Sequence, residues 1–539
     1  MRELGNLTAL LIEPHAGMRG NIHNMLNQCE LSKIDHAVSS GTAIRQLEKK
    51  TYDIILCEYD LGEGQDGQQL LEDLRHNKLI TLWTIFIMVT AERSYEKVVS
   101  AAELAPSDYI LKPFTADTLM ERIARAIDKR TAFFPIYQLI EHGNLRQAIQ
   151  VCEAGAAANR RHAIDFMRLA AELHVTLGEA AEAEEIYQRL FETKAVAWAK
   201  LGLAKTMFMQ ERYDEAESML TSLVAENGKF MDAYDWLAKT HEAIGQLPKA
   251  KTVLAGAVAI SPHAVRRLRK LGEVALETGD VELAEKAFQQ VVTKAKYSEF
   301  RDPEDHVRLV QTLVRKGDTN QANSVIRDLQ RSLGSVKKTP ACRAISSAMV
   351  HEYHGDADRV AEELSAAVAA CRESIGLSSD MKMGLARSCL QNNLEEGASE
   401  VMLDVMKNAP NKTVMDKAMS IFEEAGRQDL AETIAKESRR QVVNLVSAGA
   451  DKAKQGDYRG AVTLMMEAVH KLPDNPQVVF NAAVAVLKYL ENLGWDNRLG
   501  TQAKKLIETA RRLDPTNPRL GPLAGLHQSI LKKYDIGQV

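Results

Sequence analysis

Four polar residues near the start of the chain could do chemistry together. Glu13, Glu58, Thr90 and Lys112 each stand directly after a short apolar run. Two carboxylates, a hydroxyl and an ammonium group meeting in one crevice would suit phosphoryl chemistry with a divalent metal. The acids would hold the metal, and the lysine and hydroxyl would contact phosphate oxygens. Whether the four residues meet depends on the elements that carry them.

Those elements can be read from periodicity. Thr8–Ile12, Ile54–Cys57, Ile85–Val89 and Tyr109–Leu111 read as strands rich in Ile, Val, Leu and Tyr. Between them lie helical patterns near Met18–Cys29, Gly41–Lys49, Gly67–His76, Tyr95–Leu104 and Ala116–Asp128. Strand and helix alternating at this spacing predict βαβ units and a parallel sheet. In such a sheet the functional crevice lies at the carboxyl ends of the strands, where the four polar residues fall.

The segments MVTAE (Met88–Glu92) and YILKPFTADTL (Tyr109–Leu119) carry a resemblance. Residues 7 to 127 resemble the receiver domain of two-component response regulators, in particular those of chemotaxis-regulator type. The resemblance implies a doubly wound, flavodoxin-like α/β domain, assigned here to residues 1–128. Thr90, Lys112 and a cis-proline candidate, Pro113, match the family pattern, and Thr90 and Tyr109 match its switch pair. Two positions depart from it. The family carries two acids after the first strand, but here the second is Pro14, leaving Glu13. The phosphoacceptor aspartate is replaced by Glu58, within CEYDLGEGQDG. Asp60 falls two residues further on, where the family offers a backbone carbonyl to the metal.

Both departures act against phosphorylation. Pro14 removes a carboxylate ligand, and magnesium tolerates a poor ligand set badly. Glu58 adds a methylene, on the order of 1.5 Å of reach, and misplacement of that size is costly in phosphoryl transfer. Magnesium binding is therefore expected to be weakened, and no other cofactor is expected. A longer Glu58 could instead pair with Lys112, partly imitate a phosphoaspartate and hold the switch in one state. Two alternatives stay open. Glu58, Thr90 and Lys112 could be structural relics, or Asp60 could accept the phosphoryl group through a register shift.

Beyond residue 129 the strand pattern gives way to helical periodicity with an internal repeat. A turn residue is followed five positions later by a small one: Gly178/Ala183, Gly245/Ala250, Gly279/Ala284, Gly317/Ala322, Gly426/Ala431 and Gly456/Ala461. Gly143/Ala148 opens the series and Asn393/Ala398 preserves it. Glu211/Ala216, Gly355/Val360 and Arg498/Ala503 look degenerate. Glycine ends a first helix cheaply in the left-handed region, and alanine lets the second helix approach closely. Pro262, Pro473 and Pro515 stop second helices. Residues 129–539 therefore resemble an all-α tetratricopeptide-repeat superhelix, weakest over 330–440. That family binds other proteins along a groove lined by first helices. Asp232, Asp235 and Lys239 are expected on one repeat's groove face, with Arg266, Arg269 and Glu273 on the next.

Composition closes off other classes. A net charge of −5 gives no electrostatic bias towards nucleic acid. The six cysteines form no CxxC pair, so neither a zinc site nor a disulfide framework is expected. The chain opens without a secretory pattern and has no long apolar run, so a cytoplasmic protein without membrane insertion is expected. No GxxxxGK[ST], GxGxxG or GxSxG motif is present, so enzymatic activity is not expected. The sequence reads as a bacterial two-component-type signalling adaptor. Its partners would be other signalling proteins, held by the repeat groove and the receiver face, with homodimerisation through that face. The competing reading is a phosphorylation-dependent response regulator using the degenerate site or Asp60.

Overall fold

Five strands form one parallel sheet in the order β2-β1-β3-β4-β5: β1 (Thr8–Ile12), β2 (Lys33–Ala37), β3 (Ile54–Glu58), β4 (Ile85–Thr90) and β5 (Asp108–Leu111). The computed structural model describes residues 4–62, 66–91, 107–141, 144–193, 196–262, 264–295, 301–373, 376–515 and 517–534. The helix expected at Tyr95–Leu104 and the turn expected at Gly143 lie outside them. Helices α1 (Ala16–Gln28), α2 (Ser40–Leu47), α3 (Gly67–His76) and α4 (Ala116–Glu141) accompany the sheet.

The central strands are apolar on both faces because helices cover both. Leu10, Ile12, Ile55, Cys57, Phe86 and Met88 pack with Ala43, Ile44 and Leu47 of α2 and Leu70, Leu71 and Leu74 of α3. Their neighbours Ala9, Leu11, Ile54, Leu56, Ile85 and Ile87 pack with Ile22 and Leu26 of α1 and Leu119 and Ile123 of α4. The alternation is the two-residue period of a strand. Strand β2, absent from the sequence reading, is a correction. Its sequence KIDHA carries charge because it is the sheet edge, where polar residues are favoured and hydrophobic runs are a liability. Its register with β1 is nonetheless complete, from Thr8↔Lys33 to Ile12↔Ala37.

Helix α4 does not stop at residue 128. It continues through Pro135 to Glu141. By internal packing the chain forms two units, 1–138 with 147–305, and 139–146 with 306–539. In the first unit α4 is followed by α5 (Leu145–Ala158), α6 (Ala163–Thr176), α7 (Ala180–Thr193), α8 (Ala197–Met209), α9 (Tyr213–Glu226), α10 (Met231–Ala243), α11 (Leu247–Ile260), α12 (Val265–Glu277) and α13 (Val281–Ala295). Phe133 of α4 is buried and stacks on Phe166 of α6, ring centroids 4.3 Å apart. Lys129 and Asp165, 2.9 Å apart, tie the same two helices.

The repeat turns take the backbone that the sequence demanded. Gly245, between α10 and α11, has φ 75°, a conformation that costs any residue with a Cβ. Gly178, Gly279, Gly317, Gly355, Gly426 and Gly456 also have positive φ, as do Glu211 and Asn393. The alanines five residues on are buried in the helix crossings. Arg498 is a correction: it lies inside the helix Asn497–Leu513, and the left-handed residue there is Gly494.

Some crossings are tighter still. A Cβ added at Gly272 of α12 would stand 2.8 Å from the buried ring of Phe288. Alanine there gains about 1 kcal/mol of helix propensity, but overpacking costs about 1–3 kcal/mol. A net loss on the order of 1 kcal/mol is expected for Gly272→Ala. An unchanged or raised urea midpoint would contradict it.

In the second unit the pairing of helices continues through 330–440, where one buried cluster spans Val307 to Ile434. The helix Gln428–Lys454 is 27 residues long and serves as second helix of one pair and first helix of the next. No proline or glycine interrupts it before Gly449, so nothing breaks it where the other pairs turn. Among the described residues no helix is long and apolar enough to cross a membrane.

Candidate functional site

Parallel register brings the ends of β1, β3, β4 and β5 to one edge. Ile12 lies opposite Cys57, Glu58 opposite Val89, and Thr90 opposite Leu111. Glu13, Glu58, Thr90 and Lys112 therefore stand together at the carboxyl edge. β1 and β3 are neighbours there although β2 lies between them in the chain, which is the switch point where such sheets place their sites.

Lys112 organises this crevice. Its Nζ donates to Glu13 Oε2 at 2.8 Å and pairs closely with Glu58 Oε2. Glu13 and Glu58 are 1% and 7% exposed, so one ammonium bridges two buried carboxylates. Glu13 is further held by the backbone N–H of His15, 3.0 Å from Oε1. Arg19 of α1 donates to the carbonyls of Glu13 and Pro14, fixing the turn after β1. Under Glu58, Gly67 leaves no room for a side chain, since a Cβ would meet the Glu58 carbonyl and lie 3.0 Å from Met88 Sδ.

The two carboxyls titrate in opposite directions. Burial pushes Glu13 up, but the Lys112 bond and the His15 N–H outweigh it and hold the group below its ordinary value. Burial dominates at Glu58, whose carboxyl is raised despite Lys112 and with Glu13 adding repulsion. Burial also opposes charge on Lys112, yet its two carboxylate partners raise its pKa. One cation shared by two acids leaves a net negative charge, and Glu58 bears the penalty.

Thr90 is buried, and its carbonyl accepts the Lys112 backbone N–H at 2.7 Å. Tyr109 is half-buried on β5, opposite Met88. The Lys112–Pro113 peptide is cis. Pro14 presents no acid. Asp60 is exposed, and its carboxylate accepts the Gly62 N–H at 3.0 Å. Its backbone N–H donates to Glu58 Oε1 at 3.2 Å, so Asp60 braces Glu58 from outside the crevice. His15 and Arg19 were not identified from sequence. Both sit at the start of α1, beside the turn that Pro14 makes.

The expected groove residues divide. Asp232 and Lys239 of α10 are exposed, as is Arg266 of α12, and Glu273 is half-buried. Asp235 and Arg269 are held in ion pairs. Asp235 accepts two bonds from Arg267, at 2.7 and 2.9 Å. Arg269 donates two to Asp305, at 2.7 and 2.8 Å, and the Asp305 bond raises its pKa. Lys270 meets Glu242 at 3.0 Å and Glu273 at 4.0 Å. The basic run Arg266–Lys270 thus staples α12 to neighbouring helices, because forked guanidinium–carboxylate pairs form where the same face of successive repeats meets.

Comparison with known proteins agrees with both halves. A family model for the response regulator receiver domain matches residues 9–124, and one for the tetratricopeptide repeat matches residues 207–269. The N-terminal domain is a response regulator receiver domain, and tetratricopeptide repeats follow it. Chemotaxis protein CheY-3 of Vibrio cholerae is 27% identical over 124 residues, which are 23% of this chain and 94% of that protein. Chemotaxis protein CheY of Pseudomonas aeruginosa is 27% identical over 120 residues, 22% of this chain and 95% of its own. Among solved structures, a tetratricopeptide repeat protein from Parabacteroides merdae aligns at 13% identity and a TM-score of 0.34. The alignment covers 51% of this chain and 98% of that one. The C-terminal part of a repeat-containing protein from Cytophaga hutchinsonii aligns at 15% identity and a TM-score of 0.31, over 46% of this chain and 97% of its own. With scores that low, the repeats are assigned on their own helix pairs and on the family match.

Proposed function

We propose that this chain is a signalling adaptor whose receiver domain works without phosphoryl transfer, while its helical repeats hold a protein partner. The observation that carries the reading is the bridge from Lys112 to both Glu13 and Glu58. A magnesium ion in a receiver site needs oxygen ligands facing an open position. Here an ammonium group lies between the two carboxylates, and Pro14 withholds a third. This donor set does not suit the metal. Asp60 is turned outward and exposed, which argues against it as a substitute acceptor.

In this reading the bridge fixes the receiver in one state, and regulation comes through binding. The face built by β5 and the start of α4 carries two exposed apolar side chains, Leu111 at 45% and Met120 at 38%. Such side chains suit docking of a protein, a second copy of the chain included. Receiver domains and tetratricopeptide repeats are typically non-catalytic interaction modules, which fits this reading. The reading takes the setting as cytoplasmic, and the slightly acidic charge fits protein partners and not nucleic acid.

Calorimetric titration with magnesium tests the proposal. The wild-type chain should give no binding heat at millimolar magnesium, and the Pro14→Asp, Glu58→Asp double variant should. Saturable binding to wild type would overturn the reading.

A further inference from the structure

His23 of α1 and His36 of β2 meet at the edge of the receiver sheet. Nδ1 of His23 and Nε2 of His36 lie 2.9 Å apart, and the rings stand nearly perpendicular with their centres 4.9 Å apart. Both rings hang from elements fixed by the core. Ile22 and Leu26 anchor α1 on either side of His23, and His36 lies opposite Leu11 in the register of β2 with β1. The His36 carbonyl also accepts the Gln46 side chain at 2.7 Å. His36 is exposed and His23 half-buried, so solvent reaches the pair. One nitrogen donates and the other accepts, which requires at least one neutral ring.

We infer that these two imidazoles form a chelating site for a divalent transition-metal ion, with copper(II) held most tightly. The separation of the two nitrogens carries the inference. Neighbouring nitrogens bound to one ion at roughly 2.0–2.1 Å stand about 2.8–3.4 Å apart, from square-planar to tetrahedral angles. The observed 2.9 Å falls within that span. Rings already this close on rigid elements need little rearrangement, which lowers the ordering cost. On binding, the donor ring moves its proton to its other nitrogen through solvent, and both facing nitrogens then offer lone pairs. No net proton is released. Among the described residues no group of three or more His, Cys, Asp or Glu is placed to hold a metal ion, so water completes the shell. Asp35, beside His36, is taken by Lys50 at 2.7 Å and Tyr52 at 2.8 Å. The charges of Asp35 and Arg19 act on His36 in opposite senses, and Arg19 is itself held by the Glu13 and Pro14 carbonyls. Imidazoles suit copper, nickel and zinc, whereas magnesium takes oxygen ligands. The ion would tie α1 to the edge strand, independently of how the Lys112 crevice works.

Electron paramagnetic resonance of copper(II) on the untagged full chain tests it, because the spectrum reports nitrogen ligands. One equivalent of copper should bind and show two equatorial nitrogens. The chain has 14 histidines, so substitution must identify the pair. His23→Gln and His36→Gln should each weaken binding at least tenfold and remove that signal, while excess magnesium should not displace the ion. A second measurement uses the unsubstituted chain and so does not depend on the variants folding. Modification by diethyl pyrocarbonate, mapped by mass spectrometry, should be blocked at His23 and His36 by one equivalent of copper or zinc. Failure to bind one equivalent, or binding unchanged by either substitution, would overturn the inference. So would equal modification of the two rings with and without the ion, which would leave the pair a hydrogen bond alone.

Discussion

Lys112→Met should destabilise the receiver domain by about 3–5 kcal/mol at neutral pH, because it leaves buried charge without its partner. The loss should depend on pH in a direction that identifies its cause. Without the ammonium group, burial and mutual repulsion raise both Glu13 and Glu58. A carboxyl whose folded pKa is raised contributes stability below its unfolded value, and that stability is lost as pH rises through the folded value. The variant should therefore be most stable below the ordinary carboxyl value of 4.5 and fall away as pH rises. In the wild type, Glu13 is lowered and gains stability above 4.5, while Glu58 is raised and does the opposite. Their contributions oppose, so its profile should be flatter. Thermal unfolding across the acidic to neutral range checks this, and parallel profiles for the two proteins would contradict it.

Arg269→Ala should produce a comparable loss elsewhere in the chain. Asp305 is 3% exposed and accepts both of its bonds from Arg269. Removing the guanidinium strands a buried carboxylate, at about 3–5 kcal/mol. Replacing the pair together, as Arg269→Met with Asp305→Leu, removes the stranded charge and should recover most of the stability. Urea unfolding of the single and double variants separates the cases. A double variant as unstable as the single one would mean that Arg269 acts through packing and not through its charge partner.

Most of the fold was legible because it is written in short-range pattern. Strands β1, β3, β4 and β5 are apolar runs, and the repeats announce themselves through Gly or Asn followed by a small residue. The four crevice residues were legible for the same reason, since each follows a strand and parallel strands align their ends. Strand β2 was hidden by its edge position, where KIDHA needs no apolar face. The helix Gln428–Lys454 was hidden by an absence, that of any breaker between two repeats.

Side-chain partners were harder to read. Glu58–Lys112 could be anticipated from position, but the second bond from Lys112 to Glu13 depends on how far one side chain reaches across β1. Asp235 and Arg269 have the right types and periodicity for a groove. Their carboxylate and guanidinium are also bound by residues one repeat away, a relation between helices that sequence spacing along one helix does not contain. The same applies to His23 and His36, which belong to different elements and meet only when α1 packs on the sheet.

The central claim is that this receiver domain does not accept a phosphoryl group. Intact-mass spectrometry of the full chain tests it, after incubation with magnesium and acetyl phosphate or phosphoramidate, beside the Glu58→Asp variant and the Pro14→Asp, Glu58→Asp double variant. The account predicts no mass gain for wild type and one phosphoryl group on the double variant. A phosphoryl group on the wild-type chain, mapped to Glu58 or Asp60, would contradict it.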